Sequence, residues 1–435
     1  MKFYLMLIFS FGLMNFCSHN LFMICFFMLF MMFICVNLYY YLWMSLDSFF
    51  SFDYYSFYLM GLSLFIIGLM LLIQMEKLSM ILLIFLLLFL MMSFSTFNLF
   101  MFYFMFESSL LPIFMLVIFD GYAFERFEAS YYMFMYTAIS SLPFLMIILM
   151  LSKDLNTMTY FMIEMYSIKM KSWIFMFLIF VFLVKMPMFM FHIWLPKVHV
   201  EAPVYGSMIL AGVLLKLGSY GILRMGQMFF LNMNSFSVLM ITLGLMGGVS
   251  VSLVCLVQID MKILVAYSSV VHMSLLIASL STLSKVGFIG SYLMMIGHGL
   301  CSSGLFFLVN INYERSGSRL MYLNKGSLSL SSTLSMWSFL LCIVNFSAPI
   351  SLNLIGEIFM LMSLISVDFL TMIFMMIMCF LSAAYSLYLF SFSQHGQVNL
   401  MNFNFYEVNM KEYLILFLHW FPLNMLTFSL NMFMV

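Results

Sequence analysis

Apolar residues fill this chain in runs of about twenty, separated by short polar punctuation such as "QMEK", "GYAFERFE" and "QIDMK". A run of 18 or more apolar residues is long enough to cross a bilayer as a helix. The pattern predicts about 14 spans, near 2–17, 21–43, 55–74, 78–95, 97–118, 129–151, 173–195, 204–224, 236–257, 263–281, 286–310, 330–364, 369–392 and 414–431. The longest polar connections are 152–172, 311–329 and 393–413, none long enough to fold alone. The opening "MKFYLMLIFSFGLMNF" mimics a signal peptide, but it lacks a small-x-small cleavage site and leads into equally apolar chain. It is expected to form the first span. The fold class is therefore an all-α polytopic membrane protein, one integral membrane domain over 1–435.

Two of these spans should be broken. The seventh holds Pro187 and Pro196, and the twelfth, too long for one crossing, holds Pro349 within "FSAPISLNLIGE". Proline removes a backbone donor and clashes with the preceding turn, so a helix opens there. Inside a bilayer such an opening survives only where protein or water satisfies the freed carbonyls. Interrupted helices in corresponding places point to an inverted repeat with an ion path at its interface. The two halves are expected at 78–224 and 236–392, with further helices at both ends.

Composition agrees with the pattern. Of 435 residues 66% are hydrophobic and 7% charged, the formal net charge is zero and no basic block occurs, so nucleic acid is not an expected partner. The lipid bilayer is the expected surrounding. Seven scattered cysteines without a C-x-x-C spacing read as small buried hydrophobes, not as metal or cluster ligands. The 52 Met and 55 Phe exceed anything bilayer physics requires. Such a bias suits A/T-rich codons with ATA read as Met, as in animal mitochondrial genomes, and points to the mitochondrial inner membrane.

Most charges fall in the connections, among them Asp120, Glu125, Arg126, Asp260 and Lys262, and read as solvated ends or anchors. Four do not: Glu107 in "MFYFMFESSLLPIF", Lys185 in "VFLVKMPMF", Lys216 in "LAGVLLKLGSYG" and Glu357 in "LNLIGEIFMLM". A charge at a helix centre costs about 2.5–3.5 kcal/mol on insertion scales. Burial penalises the charged form of any ionisable group, so such residues become able to exchange protons. Two cations and two anions beside broken helices fit a proton relay better than fixed ion pairs. His272 in "SSVVHMSLL" and His298 in "MMIGHGLCSSG" extend the series, as do His192 and His199, which share a helix face if the helix persists between them. Small and polar neighbours such as "YSSVVHMS" and "GHGLCSSG" suit both close helix packing and internal water. No glycine-rich strand-to-helix phosphate loop occurs, so no NADH site is expected in this chain.

The stretch "VKMPMFMFHIWLPKVHVEAPVYGSMILAGVLLKLGSYGILR" closely resembles the antiporter-like membrane-arm subunits of the mitochondrial NADH–ubiquinone oxidoreductase, respiratory complex I. "FESSLLP", "QIDMKILVAYSSVVHMS", "GHGLCSSGLF" and "NLIGE" resemble that family in the same order, while the first 50 residues and the tail after about 390 match only in hydropathy. The resemblance implies 14 helices, with two inverted five-helix repeats at spans 4–8 and 9–13 and broken helices at spans 7 and 12. It implies that Glu107 and Lys185 form a coupling ion pair, that Lys216 is the central relay lysine and that Glu357 is the exit-side acid. His272 and His298 resemble relay histidines, and His192 and His199 follow the first break. The resemblance further implies no cofactor here: NADH, FMN, iron–sulfur clusters and ubiquinone belong to partner subunits of the complex, and neighbouring antiporter-like chains are expected partners. A free-standing Na⁺/H⁺ antiporter subunit shares every intramembrane charge and is the alternative. A haem carrier would need paired histidines on facing helices, which the seven-residue spacing across a break does not supply.

Overall fold

Asp53 caps the helix that starts at Tyr54 by accepting a hydrogen bond from the Ser56 N–H while the Ser56 hydroxyl accepts from the Asp53 N–H, so two of the free donors of the first turn are satisfied. The computed structural model describes residues 50–433 apart from 74–75, 122–123, 156, 167–168 and 398–406, together with 26–27, 30–31, 33 and 44–45. The two expected spans before residue 44 fall mostly outside the described residues.

A two-residue antiparallel pair, β1 (Met44–Ser45) and β2 (Ser51–Phe52), precedes the helices α1 (Tyr54–Leu71), α2 (Lys77–Ser95), α3 (Leu99–Ser108), α4 (Leu110–Asp120), α5 (Arg126–Leu155), α6 (Tyr160–Tyr166) and α7 (Ser172–Lys185). After the first break come α8 (Trp194–Glu201) and α9 (Val204–Ile209), which runs through a π-helical segment, Leu210–Leu214, into α10 (Leu215–Met228). Next follow α11 (Phe230–Val257), α12 (Met261–Ser281), α13 (Lys285–Ser316), α14 (Ser327–Leu330), α15 (Ser332–Asn345), α16 (Leu352–Ile365), α17 (Thr371–Gln394) and α18 (Met410–Phe428), with a closing 3₁₀ turn at Leu430–Met432. The expected spans from the third to the fourteenth each coincide with a helix or an interrupted pair. Among the described residues, nine helices are long and apolar enough to cross a membrane, and α7, α15 and α16 are shorter apolar helices.

The chain divides into two compact units, Met1–Val181 with Glu201–Ile209, and Phe182–Val200 with Leu210–Val435. In the first, α2 packs against α1, α3 and α4, and α9 lies on α1 and α4. Pro112 has no N–H for the Ser108 carbonyl, and the helix is interrupted at Ser109 between α3 and α4, just past Glu107. In the second unit α13 is the centre, packed against α12, α15, α16 and α18. Its most apolar stretch is wholly buried, so its polar residues face protein and not lipid. Glycine permits a close approach: a Cβ on Gly290 would fall 2.8 Å from the Met360 nitrogen, so the backbones of α13 and α16 touch.

Both expected breaks are present, at 186–193 and 346–351, and they share one design. The Met186 N–H donates to the Phe182 carbonyl and Met188 to Leu183, while Phe346 donates to Cys342 and Ala348 to Ile343. Positive φ recurs at Met190 (87°) and Ile350 (69°), six residues past Val184 and Val344. At each break the second half-helix reaches back to that valine carbonyl, Trp194 Nε1 to Val184 at 3.1 Å and Asn353 Nδ2 to Val344 at 3.0 Å. A non-glycine residue at positive φ costs about 1–3 kcal/mol, so the breaks are maintained against strain by these contacts. The matching pattern carries the repeat more clearly than the proline positions do: Pro187 lies three residues beyond Val184, but Pro349 lies five beyond Val344.

Candidate functional site

Lys216 sits two residues past the π-helical segment, on a helix whose glycines admit the end of α7. A Cβ on Gly221 would fall 2.2 Å from the Phe182 ring and one on Gly218 would fall 2.8 Å from Met186 Cγ, so only glycine allows this packing beside the first break. Lys216 is fully buried. Its Nζ turns back to donate to the Ala211 carbonyl within the π segment at 2.5 Å, and it lies 2.8 Å from His298 Nδ1 on α13. A π segment widens the helix and frees carbonyls to bond outside the ladder. An ammonium only donates, so with Lys216 protonated the His298 proton resides on Nε2.

From His298 the row continues. The rings of His298 and His272 on α12 are 5.5 Å apart and tilted by 54°. Nδ1 of His272 lies 3.5 Å from Glu357 Oε1 on α16, and the other carboxylate oxygen accepts from the Ser347 hydroxyl within the second break. Lys216, His298, His272 and Glu357 are each at most 7% exposed. Four groups from four helices, read from the sequence as members of one proton relay, lie in one buried row. Tyr385 on α17 adds a buried hydroxyl with no hydrogen-bond partner among the described residues, within electrostatic range of Glu357.

The other histidines differ. The helix does not persist between His192 and His199, because His192 lies in the turns of the first break and α8 starts only at Trp194, so the condition for a shared face is not met. His192 stacks on Phe189 and meets the edge of Tyr267. His199 is fully buried, stacked at 4.4 Å on Phe306, with both ring nitrogens lacking hydrogen-bond partners among the described residues. It lies within electrostatic range of Lys216 and of Lys262. Lys262, read from sequence as a solvated end, is instead buried in the first turn of α12. Lys185 is buried as the last residue of α7, and Glu107 is half-buried at the end of α3 with Tyr103 one turn before it; they belong to different units.

Nothing among the described residues groups His, Cys, Asp or Glu as a metal site, and Cys255, Cys301, Cys342 and Cys379 are free thiols. The row offers a sequence of groups that can each accept and release a proton, which is the chemistry of proton conduction.

Fold and site together define a multi-pass helical membrane protein with a buried row of ionisable side chains. Residues 96–383 match the family described as NADH:quinone oxidoreductase/Mrp antiporter, transmembrane, and the chain belongs to that family. It is 45% identical over 416 residues to NADH-ubiquinone oxidoreductase chain 4 of Ceratitis capitata, covering 94% of this chain and 92% of that one. It is 48% identical over 329 residues to the chain 4 of Aedes aegypti, covering 76% and 74%. In three dimensions it is similar to a chain of respiratory complex I from Thermus thermophilus with bound NADH, at a TM-score of 0.90 and 18% identity over 99% of this chain and 96% of that one. A chain of the Mrp complex from Dietzia sp. gives a TM-score of 0.75 at 13% identity, over 80% and 67%. At such identities these two likenesses concern the fold.

Proposed function

We propose that this chain is a proton-translocating membrane-arm subunit of the mitochondrial NADH–ubiquinone oxidoreductase, seated in the inner membrane beside other antiporter-like chains. NADH, FMN, the iron–sulfur clusters and ubiquinone belong to partner subunits, and this chain turns the energy of quinone reduction into proton movement. Relatives named as chain 4, matched over nearly their full length, support the assignment to that enzyme. The free-standing antiporter reading has only the more distant Mrp likeness behind it.

The observation that carries the mechanism is the row Lys216, His298, His272, Glu357. A proton leaves Lys216 Nζ for His298 Nδ1 across 2.8 Å, and His298 then releases one from Nε2. The step to His272 crosses rings 5.5 Å apart, so it requires a bridging water or a ring rotation. The step from His272 to Glu357, at 3.5 Å, needs a small approach before a good hydrogen bond forms. These two steps give the row places to be closed. They are needed, because moving a proton against 100 mV costs about 2.3 kcal/mol and an open wire would dissipate it. Glu107 and Lys185 are assigned as the ion pair that gates the row, and His192 and His199 as groups flanking it past the first break. Two inverted halves, 78–224 and 236–392, frame the path; the matching hydrogen-bond pattern of the two breaks supports them.

Lys216→Arg is the deciding experiment. Arginine keeps the charge but does not deprotonate. In vesicles carrying the assembled enzyme, NADH-driven proton uptake should fall well below wild type while the variant still assembles; wild-type pumping would sink the relay.

A further inference from the structure

Glu357 is held by the second break from two directions, and Asn353 ties them together. Asn353 lies one turn before Glu357, on the same face of α16. Its Nδ2 donates to the Val344 carbonyl at 3.0 Å, and the Ser347 N–H donates to that same carbonyl at 3.1 Å. The Ser347 hydroxyl in turn donates to Glu357 Oε2. Asn353, Val344, Ser347 and Glu357 thus close a ring across the break, with Ser347 held at a φ of 56°.

The far side of the amide is also built. Asn353 is 1% exposed, and its Oδ1 has no hydrogen-bond partner among the described residues. It rests on Gly297, where a Cβ would come within 2.2 Å of Oδ1. Gly297 directly precedes His298, so one amide touches the turn that carries His298 and the turn that carries Glu357. A buried acceptor without a donor is costly, and it persists here where the broken helix meets the row.

We propose that Asn353 is a positioning residue: its grip on the Val344 carbonyl and its seat against Gly297 set whether Glu357 engages His272. Releasing the carbonyl frees the first turn of α16 and lets Glu357 leave both Ser347 and His272. This rests on the relay reading above.

The test uses the assembled enzyme in inner-membrane vesicles. It reads protons translocated per electron and the infrared carbonyl band of Glu357, identified by its loss in Glu357→Gln. Asn353→Leu removes the amide at similar volume; it should lose most of its proton translocation per electron and shift the Glu357 band, with subunit content unchanged. Gly297→Ala should shift the band in the same way, because its methyl meets the Asn353 amide, and should add nothing in the Asn353→Ala background. An unshifted band with wild-type pumping in Asn353→Leu overturns the proposal. So do additive losses in the Gly297–Asn353 cycle, which decides the matter alone if Asn353→Leu does not assemble. Wild-type pumping in Lys216→Arg removes the relay itself, whereas a defective Lys216→Arg beside an unperturbed Asn353→Leu removes only the positioning role.

Discussion

Lys216 and His298 meet at 2.8 Å through Nζ and Nδ1, although 82 residues separate them in the chain. The contact joins the helix that carries the π segment to the helix at the centre of the second unit. It makes the lysine a member of a network and not a solitary buried charge.

His298→Asn tests what that contact is for. The Asn amide oxygen can still accept from Lys216, so the variant should assemble, but it has no second nitrogen from which to pass a proton on. NADH-driven acidification of vesicles should be largely lost. Retention of wild-type acidification would assign His298 a packing role.

Glu357→Gln removes the acid at the other end while keeping its shape and its acceptor for Ser347. Proton translocation should drop by at least tenfold, about 1.4 kcal/mol or more in effective barrier, with a smaller effect on ubiquinone reduction. Parallel assays of quinone reduction and proton uptake on one preparation check this.

Glu107→Gln addresses the proposed gate. If the carboxylate is the counter-ion of Lys185, pumping weakens while the buried row itself is left intact. An experimental map of the assembled complex that sets the two side chains more than about 10 Å apart without a water chain between them would count against the pair.

Gly221→Ala concerns packing. Its methyl would lie 2.2 Å from the Phe182 ring, and the resulting overpacking should destabilise the unit by about 1–3 kcal/mol. Thermal melting of the purified complex should show the loss, and Phe182→Leu should restore part of it by vacating the space.

The spans from the third onward, their order and both interruptions were legible because lipid leaves a backbone few choices: apolar runs of the right length become helices, and proline weakens them. Glu107, Lys216 and Glu357 were legible for the same reason, since a charge in such a run demands a cause. Other features left no trace in hydropathy. The π segment before Lys216 is spelled "LAGVL", apolar residues that would equally continue an α-helix. Ser347 and Asn353 are uncharged, and what distinguishes them is a carbonyl freed nearby, which only the folded chain defines. Lys262 was misjudged because its place at a span's first turn suits a solvated anchor equally well; packing decides that it is buried. Whether His192 and His199 share a helix face was left open by the sequence, and the fold decides it because the first break extends to residue 193, beyond the proline that starts it.

The buried row begins at an amine and ends at a carboxyl group. Shifting one proton from an ammonium at Lys216 to a carboxylate at Glu357 leaves both neutral, and with the proton held on either histidine the sum is still zero. Net charge inside this part of the protein is therefore the same at every stage of the transfer, while the cost of keeping two separated charges out of water falls on its start and not on its end. What changes is the dipole, long at the start and gone at the end. The row is thus sensitive to any charge brought close to one of its ends.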